Sequence, residues 1–227
     1  MEQVAQSTFD FLKTLQENNN RVWFDSNKEL YKAEELKLKS FFLQVKEDLN
    51  TTDSIEKMKI FRIYKDVRFS KNKTPYNIHR SVGFSRATDS LRGSYYLRIE
   101  PGNSMLAVGF FQPNPADLLR IRKEFEMDAF EMREILAQKK VKELFGGLQG
   151  SEVKTAPRGF DKTHADIDLI RKKSFLFSRS FTDAEVMSEN FGPTIKESFE
   201  ALRPFLDYMS DVLTTDLNGV SILNKEL

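Results

Sequence analysis

From residue 58 to 112 the spacing of apolar residues changes from a helical repeat to alternation, and that change limits the folds open to the chain. Before it, Phe24, Tyr31, Leu38 and Val45 recur every seven residues, and Phe41, Phe42 and Leu49 widen the stripe. That is the pattern of an amphipathic helix. Within it, Phe61, Ile63, Val67 and Phe69 stand opposite Arg62, Tyr64, Asp66 and Arg68. The spacing predicts a strand over 61–69 with those four apolar side chains buried. SVGFS at 81–85 is a second short strand. Tyr95, Leu97 and Ile99 alternate with Tyr96, Arg98 and Glu100 in a third. Glu100-Pro101-Gly102-Asn103 suits a type II turn. MLAVGFF at 105–111 is apolar on both faces, as a central strand must be.

Helical spacing returns after Asn114-Pro115, which reads as an N-cap followed by proline at the first helical position. Ser7 with Asp10, and Asp128 with Glu131, have the spacing of capping boxes. Asn18-Asn19-Asn20 breaks the chain between helices, and Gly146-Gly147 ends a helical block. Residues 148–165 read as a long irregular loop, and SFLFSRSF at 174–181 as a strand. Ile195, Phe199, Leu202, Leu206, Met209 and Leu213 mark a last helix, which Pro204 should kink or split. With no repeat or linker, the expected architecture is one α+β domain over 1–227: a central antiparallel sheet with N-terminal helices and a C-terminal helix packed against it.

The chain has 227 residues and a net charge of +1, so no global field draws it to a polyanion; any such affinity must be local. It has no cysteine, which excludes disulfides, thiolate metal sites and cysteine nucleophiles and fits a reducing compartment. The N-terminus lacks a basic segment followed by an apolar run, and no window reaches the roughly 18–20 apolar residues of a membrane span. A cytoplasmic protein without a membrane partner is expected.

Two stretches carry chemistry. In KMKIFRIYKDVRFSKNKTPYNIHR at 57–80, basic residues outnumber acids. Arginine forks there suit carboxylate or phosphate, because two parallel N–H donors match two oxygens. Arg62, Arg68, Lys71, Lys73 and Tyr76 are the candidate ligand-binding residues, and Asp66 and His79 the candidate general bases. In PRGFDKTH at 157–164, Arg158, Asp161 and His164 are candidate ligand-binding residues on the irregular loop. Asp166 and Asp168 beyond it suit the start of a short helix. Asp161, His164 and Asp168 match no metal motif, so no metal is expected. No phosphate-loop, dinucleotide or hydrolase motif is present, and nothing assigns a cofactor.

The sequences NNNRVWF at 18–24, RIYKDVRFSKNKTPY at 62–76, IEPG at 99–102, FGG at 145–147 and PRGFDKTH at 157–164 resemble those of a family of uncharacterised bacterial proteins. The resemblance spans nearly the whole chain. It implies a single-domain cytoplasmic protein of unknown function and no assigned activity. Lys65 stands where that family more often has arginine, which keeps the charge and loses the fork.

Three functions compete on this reading. The first is a pocket for a small anionic ligand, walled by the polar face of 61–69 and approached by the 157–164 loop, so that Arg62 and Arg68 lie near Arg158, Asp161 or His164. The second is a single-stranded nucleic-acid module, with tyrosines 64, 76, 95 or 96 stacking on bases. The third is an interaction domain with no small-molecule site.

Overall fold

A computed structural model describes residues 3–223. It contains a five-stranded antiparallel sheet in the order β1-β2-β3-β4-β5, with helices before it and a helix at its C-terminal end. The strands are β1 (Ile55–Ile60), β2 (Arg80–Arg86), β3 (Ser94–Ile99), β4 (Ser104–Phe110) and β5 (Phe175–Phe181). The chain forms two compact units. Among the described residues, one comprises 3–84, 96–106 and 180–197; the other comprises 85–95, 107–179 and 198–223.

In the first unit, α1 (Gln6–Glu17) buries Phe9, Phe11, Leu12 and Leu15. Its N-cap is Ala5, not Ser7. The Ser7 hydroxyl donates instead to Glu34 at 3.1 Å, a partner too distant in sequence for a capping motif to reveal. Thr8 and Lys37 join that carboxylate at 2.8 and 2.7 Å. Burial alone would raise the Glu34 carboxyl, but these three hydrogen bonds outweigh it and hold the group below its usual range. The helix expected from the Phe24-to-Leu49 stripe is two pieces, α2 (Arg21–Ser26) and α3 (Lys28–Leu49), with Asn27 between them. The Asn20 side chain caps the first piece by accepting from Trp23 N at 3.0 Å. The seven-residue stripe is the buried one: Phe24, Leu38, Phe41, Phe42, Val45 and Leu49.

In the second unit, α4 (Pro115–Met127) begins as expected, with Asn114 accepting from Asp117 N at 2.9 Å. Then come α5 (Phe130–Ala137) and α6 (Lys139–Phe145), the latter closed by Gly146 at φ 74°. No capping box forms at Asp128, whose carboxylate accepts from Phe130 N across the break between α4 and α5. The loop after α6 is pinned by single β-bridges from Gln149 to Leu176 and from Glu152 to Lys172, and leads to α7 (Ile167–Ile170). α8 (Asp183–Val186) and residues 191–197 of α9 (Phe191–Ala201) belong to the first unit; the last helical stretch is split at Leu202 into α9 and, in the second unit, α10 (Arg203–Thr214), with Pro204 in the first turn of α10. There its missing N–H costs no helical bond. α10 packs on α4 and α5, and Phe205 meets Phe177 edge to face.

β4 is an interior strand between β3 and β5, and β3 buries Tyr95, Leu97 and Ile99 while Tyr96 and Arg98 take the opposite face. The strand predicted over 61–69 is not there. The first strand lies earlier, over 55–60. Of the four apolar residues expected in the core, only Ile63 is fully buried; Phe61 is 39% exposed and Phe69 95% exposed. The reason lies in how the segment after Ile60 is paired.

Candidate functional site

Phe61 N donates to the Ser81 carbonyl at 2.9 Å and makes the last rung onto β2; the chain then leaves the sheet. Residues 63–65 and 75–77 pair with each other instead. Tyr64 bridges Tyr76, Lys65 N donates to the Pro75 carbonyl at 2.8 Å, and Asn77 N to the Ile63 carbonyl at 2.7 Å. The result is a short two-stranded arm whose tip is the 66–74 loop. Such a hairpin is marginal alone, and side chains anchor it. Ile63 and Tyr76 enter a cluster with Phe11, Leu12, Leu15 and Phe24. The Tyr76 ring stacks on Phe24 at 4.0 Å and 15°. Asn19 clamps the arm by accepting from Tyr76 N at 3.1 Å and donating to its carbonyl at 3.0 Å. The asparagine run therefore holds the later motif in place.

The tip is ordered by its own polar groups. Arg68 grips Asp66 with Nε at 3.0 Å and Nη2 at 2.6 Å. Lys73 Nζ donates to the Val67 carbonyl at 3.0 Å, and Lys65 Nζ to Thr74 Oγ1 at 3.1 Å. Alternation over 61–69 thus comes from a clamped turn with one inward residue, Ile63, and not from a strand in the sheet.

Beside the arm lies a cavity of about 410 Å³. Arg62, Lys65 and His79 line it with the rings of Phe61, Tyr64 and Tyr96, and Asp66, Asn77, Ser70 and Ser81 are also on its wall. His79 shows the local potential. Burial lowers its pKa first, and the positive charges of Arg98, Arg80 and Lys65 lower it further, from the usual 6.5 to about 4. The ring is neutral at pH 7 and makes no hydrogen bond among the described residues. Arg80 is itself almost fully buried and gripped by Glu35 at 2.6 and 2.5 Å. Asp66 is held below the usual carboxylate range by hydrogen bonds from Arg68.

Of the candidates in the first motif, Arg62, Asp66 and His79 line this cavity. Arg68 and Lys73 serve the loop, Lys71 is exposed, and the Tyr76 ring sits in the core. Phe61 and Asn77 were not singled out for a site. The signal for Phe61 was hidden because an apolar residue in an alternating run is read as core.

The second motif has a cavity of its own. Residues between Phe125 and Asp166 line about 390 Å³, with Arg133 and His164 among them. His164 Nδ1 accepts from Asp166 N at 3.0 Å, and its Nε2 meets the Glu126 carbonyl at 3.1 Å, so Nε2 carries the proton. Both ring nitrogens are therefore spent on backbone. Asp161 accepts from Thr163 N and Oγ1, both at 2.8 Å, and those bonds lower its pKa. Asp166 and Asp168 lie at the start of α7, as expected, and share Arg133 at 2.8 and 2.5 Å. Arg158 is exposed and lines neither cavity. Among the described residues no three histidine, aspartate or glutamate side chains are grouped to hold a metal ion.

The fold is α+β, and the first recess is lined by aromatic, cationic and polar side chains with the Asp66 carboxylate. The family follows from comparison. Residues 7–208 match the model of the family described as conserved hypothetical protein (DUF2461), and the chain belongs to it. No curated protein and no solved structure matches the chain. No helix among the described residues is long and apolar enough to cross a membrane.

Proposed function

We propose that the cavity beside the arm binds a small ligand bearing a phosphate or carboxylate group. The observation that carries this reading is the placing of two cations, Arg62 and Lys65, on the wall of one recess with His79. Burial accounts for the largest part of the His79 shift; the further lowering by the positive charges of Arg98, Arg80 and Lys65 is the part that favours a bound anion by the same electrostatics. Asp66 opposes an anion only weakly, because Arg68 offsets its charge. Arg62 makes no ion pair among the described residues, and its fork matches a two-oxygen ligand. Of the two bases suggested by the sequence, His79 is the less engaged, since Asp66 is held by Arg68, but a pKa lowered to about 4 makes its ring a weak base at pH 7. A cytoplasmic setting suits a chain without cysteine.

The test is calorimetric titration with inorganic phosphate, pyrophosphate and citrate. At least one should bind and raise the melting temperature, because a ligand that binds only the native state stabilises it. Arg62→Ala should remove the effect and Lys71→Ala should keep it. No binding by any of the three would remove the reading.

One observation favours a second reading: Phe69 at the loop tip is 95% exposed, with the Arg68 guanidinium 6.0 Å from its ring centroid. That pair suits stacking on bases of a single strand. Binding there would weaken steeply with salt, by a slope of roughly −0.7 per phosphate contact.

A further inference from the structure

We infer that the ligand of this cavity carries a planar aromatic ring beside its anionic group, and that its class is a mononucleotide. The inference rests on the anion reading above and adds what the rest of the wall recognises. Three rings line the recess, and two are large and open: Phe61 is 39% exposed and Tyr64 48% exposed. Leaving such surface in water forgoes burial that a ligand can supply. Phe61 and Tyr96 stand edge to face, with centroids 6.1 Å apart and planes at 62°. A flat ring stacked on one of them with its edge toward the other would take the arrangement aromatic quadrupoles prefer; Lys59 Nζ, 5.3 Å from the Phe61 centroid, covers part of that ring. Tyr64 is braced from behind by Phe24 at 5.9 Å and Tyr76 at 5.4 Å, so it offers a fixed surface at little entropic cost.

The polar part of the wall suits the edge of a base. Asn77 Nδ2 donates to the Arg62 carbonyl at 3.2 Å. That leaves Oδ1 as an acceptor with no donor among the described residues, suited to an exocyclic amine. The volume of about 410 Å³ lies in the range that holds a drug-sized molecule and exceeds the need of an inorganic anion. Arg62 and Lys65 are the cations on the wall. Two cations suit one or two phosphate groups, not the run of contacts a polymer requires.

The experiment is calorimetric titration of the full chain with the four common ribonucleoside 5′-monophosphates, ribose 5-phosphate and inorganic phosphate. The best nucleotide should bind at least tenfold more tightly than ribose 5-phosphate. Phe61→Leu and Tyr96→Leu keep apolar bulk and remove the π-face. Each should bring the nucleotide to within threefold of ribose 5-phosphate, while ribose 5-phosphate itself changes less than threefold; Arg62→Ala should weaken both. On the unaltered protein, nuclear Overhauser contacts should join base protons to the Phe61 or Tyr96 ring, so the inference stays testable if a variant misfolds. Equal binding of nucleotide and ribose 5-phosphate would overturn the ring and leave the anion site standing. No binding by any probe would overturn both. A single-stranded oligonucleotide binding far more tightly, with a salt slope of several contacts, would overturn the mononucleotide in favour of a polymer.

Discussion

Replacing Tyr76 by alanine separates an anchoring role from a ligand-binding one. The Tyr76 side chain is 3% exposed and stacked on Phe24, with Tyr64 5.4 Å away. Removing a buried aromatic ring of this kind costs about 3–5 kcal/mol, part of it from the cavity left behind. For a chain of this size each kcal/mol moves the melting temperature by roughly 2–4 °C, so the fall should be about 6–20 °C. Tyr76→Phe keeps the ring and deletes only a hydroxyl that makes no hydrogen bond among the described residues. It should cost less than about 1 kcal/mol. Urea denaturation followed by circular dichroism, with the slope compared between variants, reads both numbers. Asn19→Ala extends the test without touching any cavity-lining residue. It unpairs the Tyr76 N–H and carbonyl and should cost about 1–3 kcal/mol, and it should weaken anion binding because the arm loses its clamp. If Tyr76→Ala costs under 1 kcal/mol, or Tyr76→Phe costs as much as Tyr76→Ala, the ring is not the anchor and the argument for a core-held arm fails.

Gly109 in β4 has φ 132°, and an added Cβ would lie 2.1 Å from the Phe175 carbonyl oxygen. Gly109→Ala should therefore lower stability by about 3 kcal/mol or more, whereas Gly102→Ala, which meets nothing nearby, should cost only about 1 kcal/mol for its positive φ; melting curves of the two decide it. His164→Ala leaves Asp166 N–H and the Glu126 carbonyl without their partner. It should cost about 1–3 kcal/mol, and a loss under 0.5 kcal/mol by urea denaturation would contradict a structural role. Because His79 is lowered from 6.5 to about 4 in the fold, between those values the unfolded chain binds a proton that the native chain does not. Stability is then greatest above pH 6.5 and is lost as pH falls toward 4. His79→Asn should flatten that part of the curve, measured as urea midpoints at steps across the window.

The periodicities that read correctly are those in which local pattern and tertiary burial agree. Tyr95, Leu97 and Ile99 alternate because one face of β3 is buried, and the Phe24-to-Leu49 stripe repeats because α2 and α3 turn one face inward. Pro204 splits the last helix as its missing donor requires. Several misreadings have one physical source, a residue whose partner lies elsewhere in the chain; the capping box at Asp128 failed locally, because its carboxylate accepts from Phe130 N. Ser7 has the spacing of a cap, but its hydroxyl serves Glu34. Arg80 belongs by sequence to a basic run, yet it is buried against Glu35, 45 residues earlier. Alternation over 61–69 has the period of a strand, but the arm formed with residues 75–77 takes only Ile63 inward. The site was half visible for the same reason. Arg62, Asp66 and His79 announce themselves by charge. Tyr64 and Tyr96 are candidates for stacking on bases, whereas Phe61 and Asn77 join the site only once the arm brings their side chains to one recess.

The histidine spectrum gives the most direct test of the anion site. The chain has two histidines, so imidazole resonances can be assigned by comparison with His164→Gln and followed against pH by two-dimensional nuclear magnetic resonance. Without ligand, His79 should titrate near 4. With saturating pyrophosphate its pKa should rise, since a bound anion favours the imidazolium. In Arg62→Ala the pyrophosphate-induced rise should vanish. A His79 that titrates near 6.5 in the free protein, or whose titration pyrophosphate leaves unmoved, would contradict the account.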